Sequence, residues 1–366
     1  MKQHSKRFEI LDGLRGAAAL YVVIHHARLL CLESYNTGYS LHPERYSILD
    51  KIALILMSFF RFGSEAVTLF FLLSGLVIHY KHAHSVMELN DKYRFETLKY
   101  FRNRIYRIYP PLIFSILMML GIGYLSKWIY NVSFPENLSF KTIIGNLSFI
   151  TIPYFEVVGN NYPLWSLRVE WWIYVIYPLF FYVNRKWCFQ SYFIVIFIAI
   201  ALFIVNLNHA YFWVDTLLFF PTWCLGALVA DVLSNRIGYR KEFNWLIFLI
   251  PIGLYLGGVL SNNYLSDFLF GVSLFPFFIF ILEKNSGRLN TIVTKFISFF
   301  KIFCPFSYTL YIIHFPIQAF LSEYYKRSHN QHLPQKLSLA IFSIIISLIV
   351  AFVAHFITER KFKKVK

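Results

Sequence analysis

The chain has 366 residues, of which 57% are hydrophobic and only 15% charged, yet its formal net charge is +16. A soluble domain has roughly 45–50% apolar and about 25% charged residues, so this composition excludes an ordinary soluble core. The basic residues lie in short clusters between long apolar runs, which excludes the basic surface stripes of a nucleic-acid-binding protein. The four cysteines are widely spaced, so we expect neither a disulfide framework nor a metal site.

Apolar stretches of about 20 residues, the length that crosses a bilayer core of roughly 30 Å, recur along the whole sequence. They predict an all-α polytopic integral membrane protein with about ten transmembrane helices, near residues 10–30, 63–80, 108–126, 164–183, 190–207, 211–233, 243–260, 264–283, 303–323 and 337–357. Lysine and arginine are concentrated in alternate connections, at residues 2–7, 81–107, 185–186, 236–241, 284–301 and 360–366. By the positive-inside rule these segments and both termini are cytoplasmic.

Ionisable residues in the first predicted helix are candidates for a functional site, because such groups are costly in lipid and usually face a protein interior or a water-filled cavity. The helix contains Asp12, Arg15, His25 and His26. Arg15 and His26 are eleven positions apart, about three helical turns, so their side chains project from one face roughly 16 Å apart. The alternative is an arginine that reaches lipid headgroups and a histidine satisfied inside the bundle.

A basic segment leads into the third predicted span. Its Arg104 and Arg107 are three positions apart and therefore lie on one face of a helical turn. Planar guanidinium groups in that arrangement suit phosphate binding. A positive-inside anchor explains the same spacing equally well.

The fourth predicted span places the Glu170 carboxylate about 10 Å below the outer surface by helical rise. His26 reaches a similar depth, where a carboxylate beside an imidazole would orient the ring for general base catalysis. The competing interpretation is an interfacial ion pair between Arg168 and Glu170 among belt tryptophans.

Two further spans add polar positions at membrane depth. His314 in the ninth span is a relay, a substrate contact or a helix-packing group. In the second span, Ser74 and Gly75 form a small pair that permits close backbone approach, which packing alone also explains.

In this order the segments resemble the membrane acyltransferase-3 family, which includes bacterial O-antigen and cell-surface polysaccharide O-acetyltransferases. The resemblance runs from Leu11 to Glu359. Six motifs carry it: Leu11-Asp12-Gly13-Leu14-Arg15-Gly16 with His26, Phe70-Phe71-Leu72-Leu73-Ser74-Gly75, Arg104-x-x-Arg107-Ile108-Tyr109-Pro110, Trp165-Ser166-Leu167-x-Val169-Glu170, Ser307-Tyr308-x-Leu310-Tyr311 with His314, and Glu359. The chain departs from the family pattern at Arg168, where a small residue is usual, and at Trp171-Trp172.

The resemblance implies transfer of an acyl group, usually acetyl, from cytoplasmic acyl-coenzyme A to a hydroxyl of a glycan beyond a bacterial cytoplasmic (inner) membrane. Acetyl-coenzyme A is then a donor substrate, and no permanently bound cofactor is expected. The expected partners are the lipid bilayer, the donor and the hydroxyl acceptor, without nucleic acid. The resemblance also implies one acyltransferase membrane domain over residues 1–366, without an appended soluble domain.

Nine residues receive roles in this scheme. Catalysis is assigned to His26, Arg15 and Glu170. Donor binding is assigned to Arg104, Arg107 and Ser74. Substrate contact or relay is assigned to His314, Asp12 and Tyr311.

In the resulting hypothesis His26 deprotonates the acceptor hydroxyl, Glu170 orients His26, and Arg15 guides the pantetheine arm or stabilises developing charge. Three alternatives stay open. They are a transiently acylated His26, a small-molecule acceptor, and a transporter of a glycan or lipid intermediate, since intramembrane charges also mark transport pathways.

Overall fold

The structure is a computed structural model that describes residues 2–89, 92–151, 154–205, 212–259, 264–282 and 288–360. Every regular element in these ranges is helical. The α-helices are α1 (Lys2–Cys31), α2 (Ile48–Ser58), α3 (Gly63–Leu89), α4 (Thr97–Tyr130), α5 (Phe140–Leu147), α6 (Leu164–Lys186), α7 (Cys188–Val205), α8 (Phe212–Leu233), α9 (Ile250–Val259), α10 (Tyr264–Leu282), α11 (Arg288–Phe299), α12 (Ser307–Ser328) and α13 (Ser338–His355). The span ends predicted at 206, 207, 211, 260 and 283, and the basic residues at 284 and 361–366, lie outside the described residues.

Six helical stretches of the described residues are long and apolar enough to cross a membrane: Ile48–Leu89, Thr97–Ile129, Trp213–Leu233, Tyr264–Leu282, Thr291–Ser328 and Ser338–Arg360. Helices α1 and α6 have 30 and 23 residues and so have sufficient length as well, but both carry charged side chains along them. The predicted class of all-α integral membrane protein is confirmed.

The seventh predicted span has a different local structure from the others. Residues Lys241–Leu249 form a 3₁₀-helix that leads directly into α9. Because a 3₁₀-helix rises about 2.0 Å per residue and an α-helix about 1.5 Å, the two together reach roughly 33 Å. Both segments pack against α10.

Short helices between the long ones were not predicted. Helix α2 begins at a capping box, in which Ser47 and Asp50 each bind the other's backbone N–H. Ser139 caps α5 in the simpler way, by accepting from the Thr142 N–H. Serine at these positions signals a helix start, but a search for stretches of spanning length passes over helices this short.

Contacts divide the chain into two compact units, each assembled from three stretches. Unit one comprises Met1–Ala18, Ser64–Arg104 and Ser166–Ile302. Unit two comprises Ala19–Gly63, Ile105–Trp165 and Phe303–Lys366.

In unit one, α3 and α8 pack with their backbones close together. A Cβ at Gly75 would overlap the carbonyl oxygen of Trp223, and one at Gly226 would overlap that of Leu72. The close approach predicted for the Ser74–Gly75 pair is confirmed at Gly75. The apolar core beside this crossing includes Leu73 of α3 and Phe278 of α10.

In unit two, the second half of α1, from Ala19 onward, is joined to α12 by polar side chains. The Gln318 amide donates to the Val23 carbonyl oxygen (3.0 Å), and the Ser322 hydroxyl donates to that of Leu30. The Cys31 thiol also faces the Gln318 carbonyl oxygen (3.7 Å), so this part of α1 is bonded to α12 at several positions. The same contact between the two helices brings His26 against His314.

Candidate functional site

A pair of imidazoles, His26 and His314, forms the centre of the candidate site in unit two. Nε2 of His314 lies 3.1 Å from Nδ1 of His26, and the ring centroids are 5.0 Å apart. His314 is completely buried, whereas His26 is half-buried.

Backbone carbonyls assign the protons of this pair. Nδ1 of His314 lies 3.1 Å from the Leu310 carbonyl oxygen, so it is a donor and its Nε2 is an acceptor. Nδ1 of His26 faces both the Val22 carbonyl oxygen (3.1 Å) and that acceptor, so it carries the proton and shares it between them. The Nε2 of a neutral His26 is then the unprotonated nitrogen. By selecting the tautomer in this way, the Val22 carbonyl and His314 leave the Nε2 lone pair of His26 free of a proton.

Aromatic groups enclose the histidine pair. The Tyr311 ring lies 6.0 Å from His314, and the Phe315 ring meets His26 edge-on at 5.3 Å. His25 is edge-on to His26, but its Nδ1 bonds the Phe60 carbonyl oxygen at 2.8 Å, which turns it toward another segment.

Arg107 is also in unit two. Its guanidinium carbon lies 5.6 Å from the centre of the ring of Tyr308, a residue in the first turn of α12. A cation over an aromatic face is a stabilising arrangement.

A second group of predicted residues meets in unit one. The Ser74 hydroxyl donates to Oε1 of Glu170 at 3.2 Å, and the Tyr174 hydroxyl donates to the same oxygen. The two hydroxyls are themselves 3.1 Å apart. Ser74 and Tyr174 are buried, so this half-buried carboxylate is held by two neutral donors.

Arg104 lies against the same group. Its guanidinium carbon is 5.3 Å from the Tyr100 ring centre and 5.1 Å from that of Tyr174. Its Nε atom is buried without a hydrogen-bond partner among the described residues. Three residues assigned from the sequence, Ser74, Glu170 and Arg104, are therefore linked through one tyrosine.

Asp12 and Arg15 form an ion pair on α1, with Nη1 of Arg15 3.6 Å from Oδ1 of Asp12. The Arg15 side chain is 17% exposed and that of Asp12 is 47% exposed. Arg15 and His26 lie on one unbroken helix, as the sequence predicts.

The alternative in which Arg168 pairs with Glu170 is wrong. Nη2 of Arg168 instead lies 2.7 Å from Oδ2 of Asp215, whose other oxygen accepts from the Tyr264 hydroxyl. Residues two apart on a helix are about 200° apart around its axis, so Arg168 and Glu170 face opposite sides of α6.

The contact of Tyr174 with Glu170 was not predicted from the sequence. Tyr174 is four residues after Glu170, the spacing of neighbours on one helix face, and that spacing was the available signal. The hydrogen-bonded partners of Glu170 are Ser74 and Tyr174, and those of His26 are Val22 and His314. The predicted orientation of His26 by Glu170 therefore stays a prediction.

A buried polar network in unit one was also missed. Asp231 accepts from Nε2 of His79 (3.0 Å) and from Nη1 of Arg236 (2.6 Å) with one oxygen, and from the Tyr192 hydroxyl (2.6 Å) with the other. Asn184 donates to that second oxygen as well. These residues come from α3, α6, α7 and α8 and from just after α8, so the network joins those helices. Each lone pair has a donor, which is the requirement for burying charge.

Comparison with known proteins gives a match over nearly all of this chain. The model of the acyltransferase-3 family, described as an acyltransferase domain, matches residues 8–356. A Staphylococcus aureus protein named O-acetyltransferase OatA is 23% identical over an alignment of 367 residues, which covers 88% of this chain and 53% of that protein. This chain thus spans about half the length of that curated relative.

Two further relatives match over shorter regions. A Streptomyces mycarofaciens protein named acyltransferase MdmB is 26% identical over 192 residues, 50% of this chain and 43% of its own length. An uncharacterized Haemophilus influenzae protein is 26% identical over 232 residues, 56% of this chain and 91% of its own length. No solved structure matches the chain.

Proposed function

Because this chain belongs to the acyltransferase-3 family, we propose that it is a membrane-embedded O-acyltransferase that moves an acyl group, most simply acetyl, from cytoplasmic acyl-coenzyme A to a hydroxyl of a cell-surface glycan. The observation that carries the proposal is the His26–His314 pair, whose hydrogen bonds leave Nε2 of His26 as a base. The printed name of the S. aureus relative, an O-acetyltransferase, supports an oxygen acceptor and an acetyl group.

The proposal includes the full membrane topology. Ten spans, with both termini in the cytoplasm of a bacterial inner membrane, place the basic connections on the side that holds the donor. The residues then form a single acyltransferase domain.

Arginine side chains bind the donor in this proposal. The guanidinium groups of Arg104 and Arg107 are steadied by tyrosine rings, and guanidinium edges recognise phosphate oxygens through paired N–H groups. Ser74 keeps its donor-binding role through the cluster that it shares with Arg104. Arg15, paired with Asp12, guides the pantetheine arm or stabilises the charge that develops at the thioester oxygen.

The reaction follows from the tautomer of His26. Nε2 of His26 takes the proton of the acceptor hydroxyl, and the oxygen attacks the thioester carbonyl carbon. The tetrahedral intermediate collapses, its carbon–sulfur bond breaks, and the imidazolium returns the proton to the leaving thiolate. His314 orients His26 and Tyr311 lines the pair. An acyl group carried transiently on His26 is the alternative route, and it would show as an acylated enzyme without acceptor.

The test replaces His26 with alanine in the full chain, purified and reconstituted in lipid nanodiscs with acetyl-coenzyme A. We expect acetyl transfer to fall by about 100-fold or more, the usual contribution of a general base. His25→Ala is the matched control, because its imidazole bonds the Phe60 carbonyl oxygen, and we expect it to retain most of the activity. Full activity of a folded H26A protein would refute the assignment of the base.

The acceptor is tested separately, by mass spectrometry of surface glycans from cells with and without the gene. The proposed function requires a mass difference of one acyl group. An unchanged glycan, with transfer to a soluble hydroxyl compound, would support the small-molecule alternative. If neither acylated product forms and a glycan intermediate moves across the membrane in a gradient-dependent way, the result would support a transporter.

A further inference from the structure

Pro316 interrupts the hydrogen bonding of the helix that carries His314. It lies inside α12 and has no backbone N–H. The carbonyl four residues earlier, that of Ile312, therefore has no donor within the helix. Ile312 is completely buried, and an unpaired backbone carbonyl in such a place is unfavourable.

Two side chains from outside α12 satisfy this carbonyl. Nδ2 of Asn161 donates to the Ile312 oxygen at 2.9 Å, and the Ser115 hydroxyl donates to it at 3.3 Å. The Asn161 amide also lies 3.3 Å from the Ser115 hydroxyl oxygen. Asn161 and Ser115 are both 0% exposed, so the three groups form a buried cluster between α4, α12 and the loop before α6.

Asn161 makes this bond although its side-chain oxygen is left without a hydrogen bond. Its Oδ1 atom is buried without a hydrogen-bond partner among the described residues. Reversing the amide would direct Oδ1 at the Ile312 oxygen, so the carbonyl of α12 selects the observed orientation. An unsatisfied buried acceptor is destabilising, which indicates that the position serves more than local stability.

His314 lies midway between the freed carbonyl and the proline. Ile312 and His314 are two positions apart, about 200° around the helix axis. Asn161 and Ser115 thus hold one side of this turn, while the opposite side presents His314 to His26.

Unit one contains an independent example of the same arrangement. Pro178 in α6 removes the helical donor for the Tyr174 carbonyl, and the Tyr100 hydroxyl donates to that oxygen at 3.1 Å. Tyr174 is the residue that binds Glu170. In both units a proline frees a carbonyl at the turn that carries a candidate site residue.

We propose that Asn161 is a positioning residue which, through the Ile312 carbonyl freed by Pro316, holds the α12 turn so that His314 stays in contact with His26. The consequence of this positioning for catalysis rests on the proposed function. The hydrogen bond from Asn161 to the Ile312 carbonyl is independent of that function.

The substitution Pro316→Ala tests this mechanism, because alanine at 316 restores an N–H that can bond the Ile312 carbonyl. Removing Asn161 should therefore expose His314 in the natural protein, but not in a protein in which that N–H is present. The set of proteins is wild type, N161A, P316A and N161A/P316A. The control N161A/P221A replaces a proline inside α8, which frees a carbonyl unrelated to α12.

The readout is carbethoxylation of individual histidines by diethyl pyrocarbonate in nanodiscs, followed by peptide mass spectrometry. His314 and His79 are both completely buried, so His79 reports global loosening. We expect N161A to raise the reaction rate of His314 about fivefold, the factor equivalent to one hydrogen bond of about 1 kcal/mol, and to leave His79 unchanged. P316A should abolish the increase and P221A should not.

Three outcomes would overturn the proposal: an N161A protein in which His314 stays protected, an equal rise at His314 and His79, or an increase that persists in N161A/P316A. Should N161A fail to fold, Ser115→Ala removes one of the two donors and leaves Asn161 in place. We then expect a smaller rise in the reaction rate of His314, which P316A again suppresses. If the rate of His314 does not rise in S115A, the proposal is overturned as well.

The same variants are used to test the consequence for catalysis. With acetyl-coenzyme A we expect N161A to lower kcat with little change in KM for the donor, and P316A to restore kcat. A wild-type protein that transfers no acyl group contradicts the proposed function, while the His314 protection still decides the role of Asn161. Wild-type transfer with unaltered kcat in N161A contradicts the positioning role.

Discussion

At Glu170, one carboxylate oxygen accepts from both Ser74 and Tyr174. A half-buried carboxylate loses hydration, and two hydroxyl donors replace part of it. Tyr174 does more than donate, because its ring also lies under the Arg104 guanidinium. A substitution that removes only its oxygen separates these two functions.

We expect Tyr174→Phe to lower kcat/KM for acyl transfer by about 10-fold to 100-fold, since a hydrogen bond to a charged group contributes roughly 1.5–3 kcal/mol. The phenyl ring retains the contact with Arg104. Tyr182→Phe, at an exposed position of the same helix, should be neutral. Both variants are checked by acyl-transfer kinetics and by Tm in detergent. A Y174F enzyme with normal kinetics would contradict a functional role for the hydrogen bond from Tyr174 to Glu170.

At the level of elements, small residues set how closely helices pack in unit one. Transmembrane helices lack a hydrophobic driving force between them, so close contact and dispersion stabilise their association. Gly226 of α8 meets the Leu72 carbonyl of α3, next to Ser74. Added volume there separates the helix that bears Ser74 from its neighbour.

Gly226→Ala should therefore destabilise the protein by about 1–3 kcal/mol, the usual effect of overpacking. Gly121→Ala is the matched control, because a Cβ at Gly121 in α4 meets no atom within 4 Å. Thermal unfolding in one detergent compares the two. Equal Tm values for G226A and G121A would show that α3 and α8 are less closely packed than described.

At the level of the whole molecule, the proposed membrane topology accounts for the net charge of +16. In that topology, basic residues at alternate connections orient the spans through the positive-inside rule. Only a few cations, Arg15, Arg104 and Arg107 among them, have a separate role in the proposed chemistry.

Reporter fusions test this topology. A fluorescent protein fused at the C-terminus should be fluorescent, since both ends are expected in the cytoplasm. Alkaline phosphatase fused after Tyr130, the end of α4, should be active, and the same fusion after Lys186, the end of α6, should be inactive. Phosphatase activity from a C-terminal fusion would contradict the topology.

Some site residues could be found in the sequence and others could not. Arg15, His26, Glu170 and His314 stand out because an ionisable group in an apolar span is costly. Asn161 and Tyr100 carry no such signal, since a polar residue in a loop and a tyrosine near a helix start are ordinary there. Their roles depend on carbonyls that Pro316 and Pro178 leave without a helical donor.

The sequence by itself determined that the protein is an integral membrane protein and that it is helical, because length, apolar content and charge act locally along the chain. The tertiary structure alone decided the partners: His314 beside His26, Asp215 beside Arg168, and Asn161 on the Ile312 carbonyl. Those pairs join residues far apart in the chain, and the packing of whole helices selects them. A helical period fixes which face a side chain occupies, but which helix lies against that face is a property of the fold.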